Sequence, residues 1–536
     1  MTIKIKFCGA AGTVTGSCYW VRTESCQFLI DCGLFQGTKT LKALNYDQFP
    51  FLPSEIDFVL LTHAHTDHSA MVPKLINAGF RGPVYAIHAT KELLNYMLPD
   101  SGYIQEIEVS RLNQRNQRRG KPQVKPIYTQ EEAELALSQI QGVDYGKWIE
   151  LGQNVEARFW NAGHILGSAS IELKIPDNGT MRKLLFSGDI GPDHKLFHED
   201  PTAPAGFDFV ICEATYGGRN RQDVSIPERR EILANEINQA MAAGGALVIP
   251  SFAVERTQEL LLDISWLLQN EKIPGSLVFL DSPLAIRITA VFAKFAEALQ
   301  NVGKLTAPFK HSSFRFTESV DESKSIAGYT EGVIILAASG MCDAGRIRHH
   351  LKNHLWRPKS TILLVGYQAE GTLGSLLEKG LKSVNIMGEA IQVRARIRKI
   401  DIYSGHADGE GLMQWIDARS PIGCGLFLTH GNREALNSLR SDLLNNGFDE
   451  NKLLIPMLDD DYELTSSGKV NRISDISKRL NVELLDKPDW HNELAQLTLD
   501  VRAVLEQASG DDHRKDILAK LRKSLLKGGK GQGHVR

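Results

Sequence analysis

Residues 60–70, LLTHAHTDHSA, set three histidines and an aspartate within six positions, directly after the apolar run DFVLL. On a helix, residues two apart point to nearly opposite sides, so His63 and His65 could not share an ion there. Helical zinc motifs space their histidines by four instead. The cluster is therefore expected in a loop, at the end of a buried strand that holds it rigid. One catalytic zinc takes three protein ligands and keeps a position for water, so His63, His65, Asp67 and His68 already exceed one open site. The same syntax, a strand ending in a polar ligand, recurs at His164 in FWNAGHILGSAS, Asp189 in LLFSGDIG and His430 in LFLTHGN. Seven donors divide into three per ion plus one shared carboxylate, the two-metal arrangement used for phosphoryl chemistry. Two zinc ions are expected, although nitrogen and carboxylate donors also suit manganese or iron. His88, His194, His198, His349, His350 and His354 stand outside this syntax and receive no role.

A chain of 536 residues exceeds one ordinary core and predicts two or three domains. With 61 basic against 64 acidic residues, the formal charge of −3 excludes a globally basic nucleic-acid binder. It leaves room for a local basic groove. Two stretches offer one: residues 111–125, RLNQRNQRRGKPQVK, and the tail HRKDILAKLRKSLLKGGKGQGHVR. Neither interleaves aromatics, so base stacking is not indicated there. Seven cysteines form no C-x-x-C pair, which suits a reduced, cytoplasmic compartment. No run of eighteen apolar residues is present, so no membrane span is expected.

The first two hundred residues read as short strands: YWVRT, QFLIDCG, DFVLLTH, PVYAIHA, EARFWNAGH, SIELKI, KLLFSGD and FDFVICEAT. MTIKIKFCGA reads as an edge strand, and helical periodicity is confined to pieces such as 71–78 and 131–139. From about Ile226, helices and buried strands alternate, which predicts βαβ units with a parallel sheet. IRKIDIYSGHAD and CGLFLTHG then return to the earlier strand-then-histidine style. The expected organisation is α/β: a first domain segment over 1–213, an inserted domain over 214–392, a return segment over 393–455, and a helical, charged extension over 456–536.

The pattern H-x-H-x-D-H with downstream His and Asp resembles the metallo-β-lactamase superfamily. That resemblance implies an αββα sandwich with two zinc ions at one edge. It places His63, His65 and His164 on one zinc, Asp67 and His68 on the other, and Asp189 between them. Asp31, in FLIDCG, would support the site from behind its ligands. The large α/β insertion and later histidines resemble the β-CASP nucleases, whose three further motifs match Glu213 in VICEATYG, His406 in YSGHAD and His430 in LTHG. SGMCDAGR and VGYQAEGTLG look like RNA-acting members related to the mRNA 3′-end processing endonuclease. Histidine at the third motif marks the RNA-acting members, whereas the DNA cross-link nucleases carry valine. It would also complete the second zinc's ligands. The resemblance spans about residues 1–455.

Its implications are a zinc-dependent ribonuclease on single-stranded RNA, endonucleolytic by preference, with 5′-to-3′ exonuclease activity open in the same site. His406 would protonate the leaving oxygen or bind the scissile phosphate, with Glu213 orienting it. Ser339, Gly340 and Met341 would grip the RNA backbone through main-chain amides. A homodimer is open. The competing readings are a small-molecule hydrolase on the same dinuclear centre, which leaves the insertion and His406 unexplained, and a silent RNA-processing scaffold, which would have lost ligands.

Overall fold

The computed structural model describes residues 3–177, 179–221, 224–295, 311–368, 371–465, 468–473, 478–480, 497, 500–501, 504–505 and 507–528. Parts of the expected phosphate-gripping neighbourhood (369–370) and of the basic tail (529–536) lie outside the described residues.

In chain order the first strands are β1 (Ile3–Phe7), β2 (Tyr19–Arg22), β3 (Gln27–Ile30), β4 (Phe58–Leu60), β5 (Val84–Ile87) and β6 (Ile140–Val143). Then come β7 (Trp148–Glu150), β8 (Glu156–Asn161), β9 (Ala169–Asp177), β10 (Thr180–Phe186) and β11 (Phe207–Glu213). The insertion supplies β12 (Leu247–Pro250), β13 (Leu277–Leu280), β14 (Phe314–Phe316), β15 (Val333–Ala337), β16 (Thr361–Leu364), β17 (Ser383–Ile386), β18 (Glu389–Gln392) and β19 (Arg396–Lys399). Last are β20 (Ile422–Thr429), β21 (Leu453–Leu454), β22 (Asp461–Leu464) and β23 (Val470–Ile473).

Among the described residues, two sheets form the sandwich, ordered β23-β22-β1-β2-β3-β4-β5-β6 and β21-β20-β11-β10-β9-β8-β7. Their inner faces share one apolar core: Phe7 meets Phe427 at 5.3 Å between ring centroids, and Tyr19 meets Phe186 at 5.6 Å. Strands β3, β4 and β5 run parallel, as do β10, β11 and β20, so several strands of each sheet end at one edge. Such carboxyl ends are where α/β sheets collect ligands. The third sheet, β14-β13-β15-β12-β16-β19, is parallel throughout. Its strands VIILA, LVIP and TILL are apolar on both faces because helices cover both sides. The fold is therefore the expected α/β sandwich with an inserted parallel sheet.

Four expectations fail at the level of single elements. β1 is not an edge strand, because β22 pairs with it on the side away from β2. The segment after Pro456 is not helical at its start: β22 and β23 extend the first sheet. β19 stays in the inserted sheet beside β16 rather than joining the return segment. Finally, helix is not confined to short pieces in the first part, since His88–Arg118 is one helix of 31 residues. It buries Leu93, Leu94, Met97, Leu98 and, further out, Val109, while its last two turns beyond Val109 are polar apart from the exposed Leu112. Of the C-terminal unit, 488–536, the described part is mainly the helix Asp511–Gly528. No helix among the described residues is long and apolar enough to cross a membrane.

Candidate functional site

The cluster is only half a loop. β4 leads into a bent segment that carries Thr62, His63 and Ala64, His65 caps a single helical turn, Thr66–Ser69, and that turn carries Asp67 and His68. The turn folds tightly against the loop after β3. A Cβ on Gly33 would stand 1.6 Å from the Asp67 carbonyl oxygen, so only glycine admits this approach. His164 comes from the loop between β8 and β9, Asp189 from the end of β10, Glu213 from the end of β11 and His430 from the end of β20. His406 lies between β19 and β20, where the chain leaves the inserted sheet. Asp31 and His430 hold left-handed backbone, φ 60° and 50°. Such strain in non-glycine residues concentrates at functional sites.

Four donor atoms converge at one point. His63 Nε2 and His164 Nε2 each lie 3.1 Å from His65 Nδ1, and Asp189 Oδ2 lies 3.4 Å from His63 and 3.5 Å from His164. A second set stands beside it: His68 Nε2 is 3.1 Å from His430 Nε2, with Asp189 Oδ1 at 3.3 and 3.7 Å from them and Asp67 Oδ2 3.8 Å from His430. Ligands about 2.0–2.2 Å from a tetrahedral ion are themselves about 3.3–3.6 Å apart, so the first set has the edge lengths of a divalent-metal shell. The two oxygens of Asp189 face different sets, the geometry of a bridge, and Oδ1 is buried without a hydrogen-bond partner.

Electrostatics suits the same purpose. Burial, chiefly, pushes His63 and His164 well below the ordinary imidazole range and His65 down to about 4, leaving neutral rings with lone pairs to offer. Burial opposes the charge of Asp189, but His430, His68, His63 and His406 together hold its carboxyl well below the usual range. Asp67 is likewise held down, against burial, by its hydrogen bond to His430 and by the His68 charge. Three neutral rings and an anion facing one another suit a cation between them, and the chain carries a candidate centre for divalent metal.

Hydrogen bonds behind the donors fix their orientation. Asp31, fully buried, accepts from His68 Nδ1 at 2.7 Å, Ser17 Oγ at 3.1 Å, Thr62 N at 2.8 Å and Thr62 Oγ1 at 2.9 Å. His164 Nδ1 donates to Gly405 O at 2.7 Å, and Thr215 Oγ1 meets His430 Nδ1 at 3.0 Å. Lys195 Nζ donates to the His164 carbonyl at 2.6 Å and pairs with Glu255. Sequence reasoning missed Thr62, Ser17, Thr215 and Lys195. Thr62 and Thr215 flank quoted motifs, but a lone lysine six residues past Asp189 carries no signal.

Glu213 accepts from Ile190 N at 2.6 Å and lies 3.1 and 3.2 Å from His406 Nδ1. His406 Nε2 is thereby turned toward the centre, 3.9 Å from Asp189 Oδ2. Arg221 hydrogen-bonds the His406 carbonyl and stacks on Tyr216. Ser339, Gly340 and Met341 occupy a separate turn after β15. There Gly340 O accepts from Gln368 Nε2 at 3.0 Å, Met341 O from Gly374 N at 3.1 Å, and Ser339 N donates to Ala344 O.

Known proteins share this organisation. The family model of the metallo-beta-lactamase superfamily matches residues 11–262, that of the Beta-Casp domain 257–377, and that of the Zn-dependent metallo-hydrolase RNA specificity domain 390–454. The chain is 35% identical over 440 residues to Ribonuclease TTHA0252 of Thermus thermophilus, covering 80% of this chain and 94% of that protein. It is 30% identical to an RNase J-like protein of Methanocaldococcus jannaschii, covering 80% and 93%. Identity to transcription termination factor FttA of Methanosarcina mazei is 29%, over 82% of this chain and 69% of that one.

Proposed function

The chain belongs to the β-CASP branch of the metallo-β-lactamase superfamily, and from that premise we propose that it hydrolyses phosphodiester bonds within single-stranded RNA on two zinc ions. It is a metal-dependent hydrolase, a ribonuclease. The single observation that carries the finer reading is Asp189, with one oxygen facing each donor set.

His63, His65 and His164 would hold one ion, Asp67, His68 and His430 the other, and Asp189 both. When bound, the ions supply Lewis acidity that offsets phosphate charge and makes water nucleophilic near neutral pH. The protein residues orient and move protons. Glu213, fixed by the Ile190 amide, accepts from His406 Nδ1, aims Nε2 at the cleft and supports the doubly protonated ring that a proton donor needs. His406 then donates to the leaving oxygen or hydrogen-bonds the scissile phosphate. Asp31 holds His68 in the tautomer that leaves Nε2 free. Gly340 and Met341 would meet the RNA backbone through their main-chain amides, while the Ser339 amide is already given to Ala344 O.

We assign residues 1–213 and the return through β20 to the catalytic domain. The insertion runs through β19, because that strand pairs with β16. A cytoplasmic location fits a chain whose cysteines are all free, six of them buried. The test is cleavage of end-labelled and internally labelled RNA and matched DNA by metal-verified protein and by Asp189→Asn. Intermediate-length RNA fragments that vanish with the variant are expected. Early mononucleotides from the 5′ end would make it an exonuclease, and two bound metals with no nucleic acid cut would overturn the reading in favour of a small substrate.

A further inference from the structure

Beyond Val109, the helix His88–Arg118 buries no side chain in the core. From Arg111 to Lys125 it and the segment folding back on it carry Arg111, Arg115, Arg118, Arg119, Lys121 and Lys125, with no Asp or Glu among them. None of the six forms an ion pair among the described residues, whereas Glu92 and Glu108, earlier in the same helix, pair with Lys294 and Arg348. Accumulated like charge opposes folding, so this patch is not a device of stability. In a chain of net charge −3 it stands out as a local field.

The patch is also held stiff. The Asn113 side chain exchanges two hydrogen bonds of 2.9 Å with the Val124 backbone, Asn116 Nδ2 donates to Pro122 O at 3.0 Å, and Ile127 N donates to Gln105 Oε1. The returning segment is thus zipped to the helix, forming a rigid finger whose charges need little ordering on binding.

The helix that carries the finger is anchored beside the site and meets the insertion at the finger's root. Near its start, Thr90 Oγ1 donates at 2.7 Å to Gly167 O, in the loop that carries His164. At the root of the basic part, Arg111 approaches the helix Ile347–His354 of the insertion. There burial, then the charges of Arg348, His350, Arg111 and Lys352, hold His349 below the ordinary imidazole range.

We propose that this finger binds the phosphate backbone of single-stranded RNA outside the catalytic cleft, so that long substrates are held at two places. The proposal rests on the ribonuclease reading above. From Thr90 to Arg111 the helix spans roughly 30 Å at 1.5 Å per residue. A stacked strand at about 3.4 Å per nucleotide covers that in about nine nucleotides. RNA of about six nucleotides, about 20 Å long, is too short to span that distance. Without interleaved aromatics the contact is to phosphates, hence indifferent to sequence and sensitive to salt.

The experiment compares metal-loaded full-length protein with Arg115→Gln/Arg118→Gln/Arg119→Gln/Lys121→Gln, on unstructured RNAs of about 6 and about 30 nucleotides, across a salt series. Four lost phosphate contacts predict a log–log salt slope shallower by about 3 and KM for the long RNA raised about tenfold at low salt, with the short RNA and kcat unchanged. Anisotropy with the long RNA, in an Asp189→Asn background, reads binding without turnover, and a melting curve checks the fold. Equal effects on both lengths, or no effect on the long RNA, overturn the proposal. Wild-type protein that cleaves neither length overturns the ribonuclease reading instead, and the anisotropy comparison still decides the finger.

Discussion

Asp31→Asn isolates the support behind the second donor set. Asparagine tolerates left-handed backbone nearly as well as aspartate, so the φ of 60° need not change. What changes is one oxygen. Both carboxylate oxygens of Asp31 accept, one from the Thr62 amide and hydroxyl, the other from His68 Nδ1 and Ser17 Oγ. In either amide orientation an NH₂ replaces an acceptor and faces a donor. If it faces His68, the ring must accept at Nδ1 and carry its proton on Nε2, the atom that faces His430 and Asp189. A protonated Nε2 cannot bind a metal. If it faces Thr62, a buried amide loses its partner, at about 1–3 kcal/mol of stability. Loss of such outer support typically costs about 10–100-fold in metal affinity, or about 1.4–2.8 kcal/mol. Competition with a chromophoric chelator should resolve two binding steps in the wild type and weaken mainly one of them in the variant. Two unchanged steps, with a variant that melts like wild type, would refute the tautomer argument.

Glu213→Gln and His406→Ala should each lower kcat by about 10²–10⁴ while metal stoichiometry and RNA affinity hold, and a variant that instead loses metal would move His406 or Glu213 into the ligand set. Gly33→Ala should fail to load metal and melt early, since its Cβ would sit 1.6 Å from the Asp67 carbonyl; normal loading would mean the turn can move aside. Glu255 faces Lys195, His198 and Glu259; burial raises its pKa but His198 and Lys195 pull it from 4.5 to about 2. A depressed carboxyl adds stability above its unfolded pKa and loses it as pH falls toward the folded one. Glu255→Gln metal-free protein should therefore be less stable by up to roughly 3 kcal/mol at neutral pH, with the gap closing between pH 4.5 and 2. Denaturant melts showing a constant gap would count against that linkage.

The sequence by itself determined the chemistry. Histidines at spacing two behind an apolar strand, and three more strands ending in His or Asp, could be read because ligand types and strand ends are local features. The same locality made the βαβ rhythm of the insertion legible in runs such as LVIP and VIILA. What only the tertiary structure decided was non-local. β22 reaches from residue 461 to cover β1, and β19 stays with β16, because strand pairing depends on which edges remain open after folding and not on any local pattern. His68 meets His430 across 362 positions, and Lys195 supports His164 through a backbone carbonyl that leaves no mark in composition. The 31-residue helix buries Leu93, Leu94, Met97, Leu98 and Val109 without a regular apolar stripe along its whole length, so no core-facing period betrays it.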